Sequence, residues 1–202
     1  MAQKVIDFWF TTGSTYTYLT VSRLPALARE SGVTFRWRPF QLRTLFDERG
    51  YFPFPKGSPK TAYMFRDIER RAAMHGIPIR MPVIYPLPDT QLPNLVALLG
   101  MREGWGIDYI RAAYRRWFQE GQPTGSEPNL SASLAEVGQK TDRVVALARG
   151  DENKAALVAE TDVARAAGLV GSPSFVVDGE VFWGDDRLED AITWARKGTL
   201  AK

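Results

Sequence analysis

Apolar side chains crowd into short runs at both ends of the chain and spread to helical spacing in between. Val5-Ile6-Asp7-Phe8-Trp9-Phe10 is almost continuously apolar, the pattern of a central strand covered on both faces. Tyr16 to Glu30 carries Leu19, Leu24 and Leu27 at helical intervals, with Pro25 as an expected kink and Gly32 suited to the C-terminus. Val33 to Arg38 alternates apolar and polar, which predicts an edge strand with one wet face, closed by Pro39. A strand–helix–strand unit of this length implies a right-handed parallel pair.

From about residue 43 to 168 strand signals vanish. Lys60–His75, Thr90–Met101, Ile107–Glu120, Leu130–Val137, Asp142–Arg149 and Glu152–Ala167 read as helices. The Pro-rich stretches 52–59 and 77–93 read as extended loops. Strands return at Ser174–Val177 and Glu180–Trp183, joined by Asp178-Gly179, a pair that fits a type I′ turn. A last helix opens near Gly184-Asp185-Asp186-Arg187-Leu188-Glu189. Either aspartate is a candidate N-cap, and Asp186 with Glu189 has capping-box spacing. The whole is an α/β chain: a mixed four-stranded sheet built as βαβ…ββα, residues 1–42 and 169–202, with an all-helical insertion over 43–168.

Composition narrows the chemistry. The chain has 202 residues, 45% of them hydrophobic, a net charge of +3 and no cysteine. That leaves ample core, gives no basic face for nucleic acid, and excludes disulfide and thiolate-metal chemistry. No apolar run reaches membrane-spanning length. A first strand so near Met1 leads to the expectation of no signal peptide and a cytoplasmic location.

Ser14 falls at the junction between the first strand and first helix, beside N–H groups that have no intrahelical partner. That position favours negative charge. Its hydroxyl can donate to a thiolate supplied from outside. Serine is also a favoured N-cap, so the residue alone is equally compatible with a structural role.

Three separated segments carry a resemblance. Asp7-Phe8-Trp9-Phe10 through Ser14 to Tyr16-Thr17-Tyr18-Leu19 is similar to a strand–loop–SPYSYL opening. Lys60-Thr61-Ala62-Tyr63-Met64-Phe65-Arg66-Asp67, followed by Gly76-Ile77-Pro78, is similar to a K-x-x-YM-x-x-D helix. Gly171-Ser172-Pro173-Ser174-Phe175-Val176-Val177-Asp178-Gly179-Glu180 with Phe182-Trp183-Gly184-Asp185-Asp186-Arg187-Leu188 is similar to a GVPTFVVDGE…FWGxDRL ending. Together they resemble the 2-hydroxychromene-2-carboxylate isomerases and the kappa-class glutathione transferases, thioredoxin-fold proteins with a DsbA-like helical insertion.

The resemblance implies glutathione as cofactor, a small aromatic substrate and a homodimer. It implies that Ser14 faces the thiol, that Pro173 is the cis proline of the fold, and that the Ser172 backbone pairs with the cysteinyl unit. It further implies that Asp185 and Asp186 receive the γ-glutamyl end, and that Lys60 faces the glycyl carboxylate. It implies no metal. Two positions depart from the pattern: Thr15 stands where the family usually has proline, and Tyr51 where it has an asparagine.

The implied chemistry is energetically accessible. Lowering a thiol pKa from about 8.5 by two units takes roughly 2.7 kcal/mol. A helix N-terminus contributes about 0.3–1 kcal/mol, up to ~2 when partly buried. A hydrogen bond to a charged group adds about 1.5–3 kcal/mol. Three functions follow as alternatives: isomerisation of a hydroxychromene carboxylate, conjugation of an electrophile, or ligand binding without turnover. The second pocket that separates them is expected between the 40–60 and 77–93 loops.

The remaining polar and aromatic residues receive structural expectations. His75 suits a helix C-terminus. Arg36 and Arg38 are expected to cover the wet face of the edge strand, and Arg70, Arg71, Arg115 and Arg116 to lie exposed on helices. Trp105, Tyr114, Trp117 and Phe118 are expected in the helical core.

Overall fold

The computed structural model describes residues 4–201, and among them four strands form one sheet in the order β2-β1-β3-β4. β1 (Val5–Phe10) pairs in parallel with β2 (Thr34–Pro39) and antiparallel with β3 (Ser174–Val177), which pairs antiparallel with β4 (Glu180–Trp183). This is the expected mixed α/β sheet, with β1 central because both of its neighbours hydrogen-bond to it. Phe8 stacks on Phe10 and Phe175 and meets the edge of Trp37, so the apolar run of β1 is buried by aromatic contacts across the sheet. The β3–β4 turn has Asp178 at φ 51° and Gly179 at φ 84°, the two left-handed residues that a type I′ turn requires.

α1 (Thr15–Ser31) ends at Gly32 in the left-handed conformation, and Pro25 lies within it. The insertion comprises α2 (Leu42–Glu48), α3 (Pro59–Met74), α4 (Leu92–Glu103), α5 (Gly106–Glu120), α6 (Asn129–Glu136), α7 (Thr141–Ala148) and α8 (Asp151–Ala166); α9 (Leu188–Lys197) returns to the sheet. Ser58 caps α3 by accepting from the Thr61 N–H, with Pro59 at the first helical position. One apolar cluster runs from Ile6, Phe8 and Phe175 through Leu95, Val96, Tyr109 and Trp117, so sheet and insertion share a packed core. Among the described residues no helix is long and apolar enough to cross a membrane.

Some expectations need correction. α2 has no counterpart in the predicted elements. Neither Asp185 nor Asp186 caps a helix through its side chain: Asp185–Arg187 form a single 3-10 turn, and Arg187 occupies the N-cap of α9 without a side-chain cap bond. Arg38 is half-buried, bonded through two nitrogens to Glu160 of α8 and lying 4.1 Å over the Trp9 ring. Arg71 and Arg116 are also sheltered; Arg116 bonds Ser133 and Glu136. Tyr114, Trp117 and Phe118 are fully buried as expected, and Trp105 packs beside them half-buried.

Candidate active site

Ser14 is the N-cap of α1, with extended backbone (φ −87°, ψ 124°). Its Oγ accepts from the Thr17 N–H at 3.4 Å and donates to the Ser172 carbonyl at 2.7 Å. The Ser172–Pro173 bond is cis. The Ser172 hydroxyl is 2.9 Å from the Thr17 hydroxyl and accepts from the Thr11 N–H at 2.9 Å. The start of α1 and the proline loop are thus stitched together by two serines 158 residues apart.

The helical insertion fixes this junction from the other side. Asn94 of α4 is fully buried; its amide oxygen accepts from the Thr12 N–H at 2.9 Å, and its amide nitrogen donates to the Thr11 hydroxyl at 2.9 Å. The Tyr114 hydroxyl of α5 reaches the carbonyls of Thr11 (3.0 Å) and Ser14 (3.1 Å). Burial pushes the Tyr114 phenol far above its ordinary pKa, so it remains a donor. Thr15, in the position where proline was expected from the resemblance, is buried with its hydroxyl 3.2 Å from the Met64 sulfur of α3. Neither Asn94 nor Tyr114 carries a local sequence signal for the site, because its role depends on contacts about 80–100 residues away in sequence.

A cavity of about 650 Å³ opens beside Ser14. Ser14, Ser172, Pro173, Lys60, Asp185 and Asp186 all line it, so the fold brings the six sequence-derived residues to one place. Lys60 Nζ donates to the Tyr51 hydroxyl at 2.9 Å and lies 5.3 Å from the centre of the Phe54 ring. It has no carboxylate partner among the described residues. Tyr51 stands half-exposed on the cavity wall and leaves the cavity open.

The two aspartates differ sharply. The Asp185 side chain is 0% exposed. It accepts from Arg23 Nη1 at 3.1 Å, Arg71 Nη2 at 2.7 Å and the Thr20 hydroxyl at 3.0 Å. Arg23 also pairs with Glu189. Asp185 therefore spends its acceptor capacity on protein donors and holds Arg71 against the cavity wall. Asp186 is half-exposed and, among the described residues, bonded only to the neighbouring Arg187 at 2.9 Å. Gly184 at φ 116° precedes them, and a Cβ there would lie 2.4 Å from Asp186 Oδ1. Only glycine lets this turn bring Asp186 to the rim.

Tyr16 donates to Asp67 at 3.0 Å; burial, and then the Asp67 charge, push its phenol well above the ordinary range. Leu42, Arg43, Phe46, Phe52, Tyr85 and Leu87 also line the cavity, with Leu87 close to Gly13. These belong to the two segments expected to form the second pocket.

Comparison with known proteins adds the following. The model of the DSBA-like thioredoxin domain family matches residues 5–192. The 2-hydroxychromene-2-carboxylate isomerase of Sphingobium xenophagum is 29% identical over 188 residues, covering 92% of this chain and 95% of that protein. A solved 2-hydroxychromene-2-carboxylate isomerase superposes with a TM-score of 0.80 at 22% identity, covering 96% of this chain and 97% of its own. The cytosolic disulfide reductase DsbM of Pseudomonas aeruginosa, solved with GSH, superposes with a TM-score of 0.67 at 16% identity, covering 95% and 96%.

Proposed function

Given that the chain belongs to the DsbA-like thioredoxin domain family yet has no cysteine, we propose that it is a glutathione-dependent isomerase acting on 2-hydroxychromene-2-carboxylate-like unsaturated aromatic acids. One observation carries the reading: a serine hydroxyl stands at the N-terminus of a 17-residue helix, on the wall of a cavity that also presents Lys60 without a carboxylate partner.

The residues present fit the tripeptide. The cavity volume lies within the roughly 300–1,000 Å³ usual for small-molecule sites. Glutathione carries two carboxylates, one ammonium and one thiol. Lys60 is the cation for the glycyl carboxylate, and Arg71, already oriented by Asp185, for the γ-glutamyl carboxylate. Asp186 is the anion for the ammonium. Asp185 is a positioning residue in this reading, because its oxygens are taken by Arg23, Arg71 and Thr20.

When bound, glutathione supplies a nucleophilic thiolate for reversible conjugate addition. The protein keeps that sulfur charged. Ser14 turns its hydroxyl from the Ser172 carbonyl to the sulfur, and the first-turn N–H groups of α1 add the field of the helix terminus. Thr11, Asn94 and Tyr114 hold the backbone beneath Ser14 so that this rotation needs no loop movement.

The test is twofold. Glutathione at a hundredfold excess over Kd should stabilise the protein by about 2.7 kcal/mol, read as a rise in Tm. With glutathione present, the protein should isomerise 2-hydroxychromene-2-carboxylate. Absence of any glutathione-dependent turnover rejects the reading, and accumulation of a conjugate instead of the isomer replaces it with a transferase.

A further inference from the structure

The cavity lining also holds groups that the glutathione reading leaves unassigned. Arg43, on the exposed side of α2, lies with its guanidinium carbon 4.8 Å from the centre of the Phe52 ring. Its Nε donates to Asp47 at 2.8 Å, one turn further along the same helix. Its two terminal amino groups have no partner among the described residues. Tyr85 lines the same cavity, its ring meeting the edge of Phe65 at 6.3 Å. The Tyr85 hydroxyl has no hydrogen-bond partner among the described residues. Burial pushes its pKa up to about 12, a rise that the nearby Arg43 charge opposes. It stays protonated at working pH and is a free donor. Phe46, Phe52 and Leu87 supply apolar surface in the same lining.

We propose that Arg43 and Tyr85 read the acceptor substrate: Arg43 takes the carboxylate of a flat aromatic acid, and the Tyr85 O–H donates to a phenol or keto oxygen on the same molecule. The proposal rests on the isomerase reading for the places it gives the sulfur and the two carboxylates of glutathione.

In the isomerase reading the other cations of the cavity, Lys60 and Arg71, face the two carboxylates of glutathione. Arg71 is committed to the buried Asp185 through Nε and Nη2. Lys60 is bound to Tyr51 and lies on the α3 side with Arg71. Among the described residues the only carboxylate on Arg43 is Asp47, and exposed i,i+4 pairs of that kind are weak and easily displaced. A planar guanidinium with two free N–H pairs is also the geometry that grips a carboxylate through both oxygens.

The test is calorimetric titration, without glutathione, of 2-hydroxycinnamate, its methyl ester and cinnamate as probes. The wild type should bind the acid at least tenfold more tightly than the ester. Arg43→Gln should lose that preference and leave ester binding unchanged, whereas Arg43→Lys should recover part of it. Asp47→Asn, which removes the competing carboxylate, should tighten the acid severalfold. Tyr85→Phe should weaken 2-hydroxycinnamate but not cinnamate. Glutathione-induced Tm shifts should be the same in all of these variants. Equal binding of acid and ester by the wild type, absence of binding by either, or an acid preference that survives Arg43→Gln overturns the proposal. A wild type that binds the acid selectively but gives no glutathione-induced Tm shift overturns the isomerase reading instead and leaves this subsite standing.

Discussion

Ser14 Oγ donates to the Ser172 carbonyl at 2.7 Å, so the one proton available to a thiolate is engaged across the junction between α1 and the cis-proline loop. Turning that proton to a sulfur exchanges a neutral acceptor for a charged one. Hydrogen bonds to charged groups are worth about 1.5–3 kcal/mol, against about 0.5–1.5 for ordinary ones. The exchange is therefore favourable, but by less than the full charge-assisted bond.

The net gain of about 1–1.5 kcal/mol means that Ser14→Ala should slow glutathione-dependent turnover roughly five- to tenfold and raise the thiol pKa of bound glutathione, read from thiolate absorbance against pH. The variant also loses a helix cap, a change that costs about 0.5–2 kcal/mol in general. The 3.4 Å contact to Thr17 N places this cap at the weak end of that range. Unchanged thiolate absorbance would show that Ser14 does nothing beyond capping α1.

Asp185 and Asp186 should separate stability from binding. Asp185→Asn leaves Arg23 and Arg71 sheltered without their shared carboxylate, and breaking a buried ion pair of this kind costs about 3–5 kcal/mol. Asp186→Asn removes an exposed charge and should change stability by no more than about 0.5 kcal/mol while weakening glutathione. Urea unfolding and glutathione titration on the pair settle it. Equal destabilisation by both substitutions would contradict the assigned roles.

Tyr114→Phe removes the shared donor to the Thr11 and Ser14 carbonyls. The Thr11 carbonyl keeps the Ser14 N–H as a donor at 3.1 Å, so the loss is that of ordinary hydrogen bonds, about 0.5–1.5 kcal/mol each. Amide exchange over residues 11–18 should quicken more than exchange in α9, because the latch acts on that junction. Uniform quickening across the chain would instead mark a general loss of stability.

The strands were legible because their signals are local: a continuous apolar run and an Asp-Gly turn. The grouping of Ser14, Lys60, Ser172, Pro173, Asp185 and Asp186 was implied only by the resemblance of three separated segments; the fold does set all six on one cavity. The service of each aspartate was not legible. Asp185 looks like a helix cap from its neighbours, yet its partners lie 114 and 162 residues away on α3 and α1. Arg71 and Arg116 look exposed for the same reason. α2 escaped because seven residues with no side-chain cap carry little periodic signal; its stability comes from Leu42 and Leu45 packing with Trp9 and Phe40.

The only histidine gives the site a pH dependence of predictable sign. His75 ends α3, and its Nε2 is buried without a hydrogen-bond partner among the described residues. Burial, then the nearby Arg23 charge, lower its pKa from 6.5; Asp185 opposes the shift and Arg71 reinforces it. As pH falls below about 6.5, the unfolded chain takes up the proton first. The contribution of His75 to stability is therefore complete above that value and is lost as pH falls through the lower, folded-state pKa. Protonation there also adds a third positive charge to the Arg23–Asp185–Arg71 cluster that orients Arg71. Wild-type Tm should drop between pH 7.5 and 5.5, and His75→Gln should flatten that part of the drop, with glutathione affinity following the same difference. Parallel Tm profiles in the two proteins would assign the acid sensitivity to other groups.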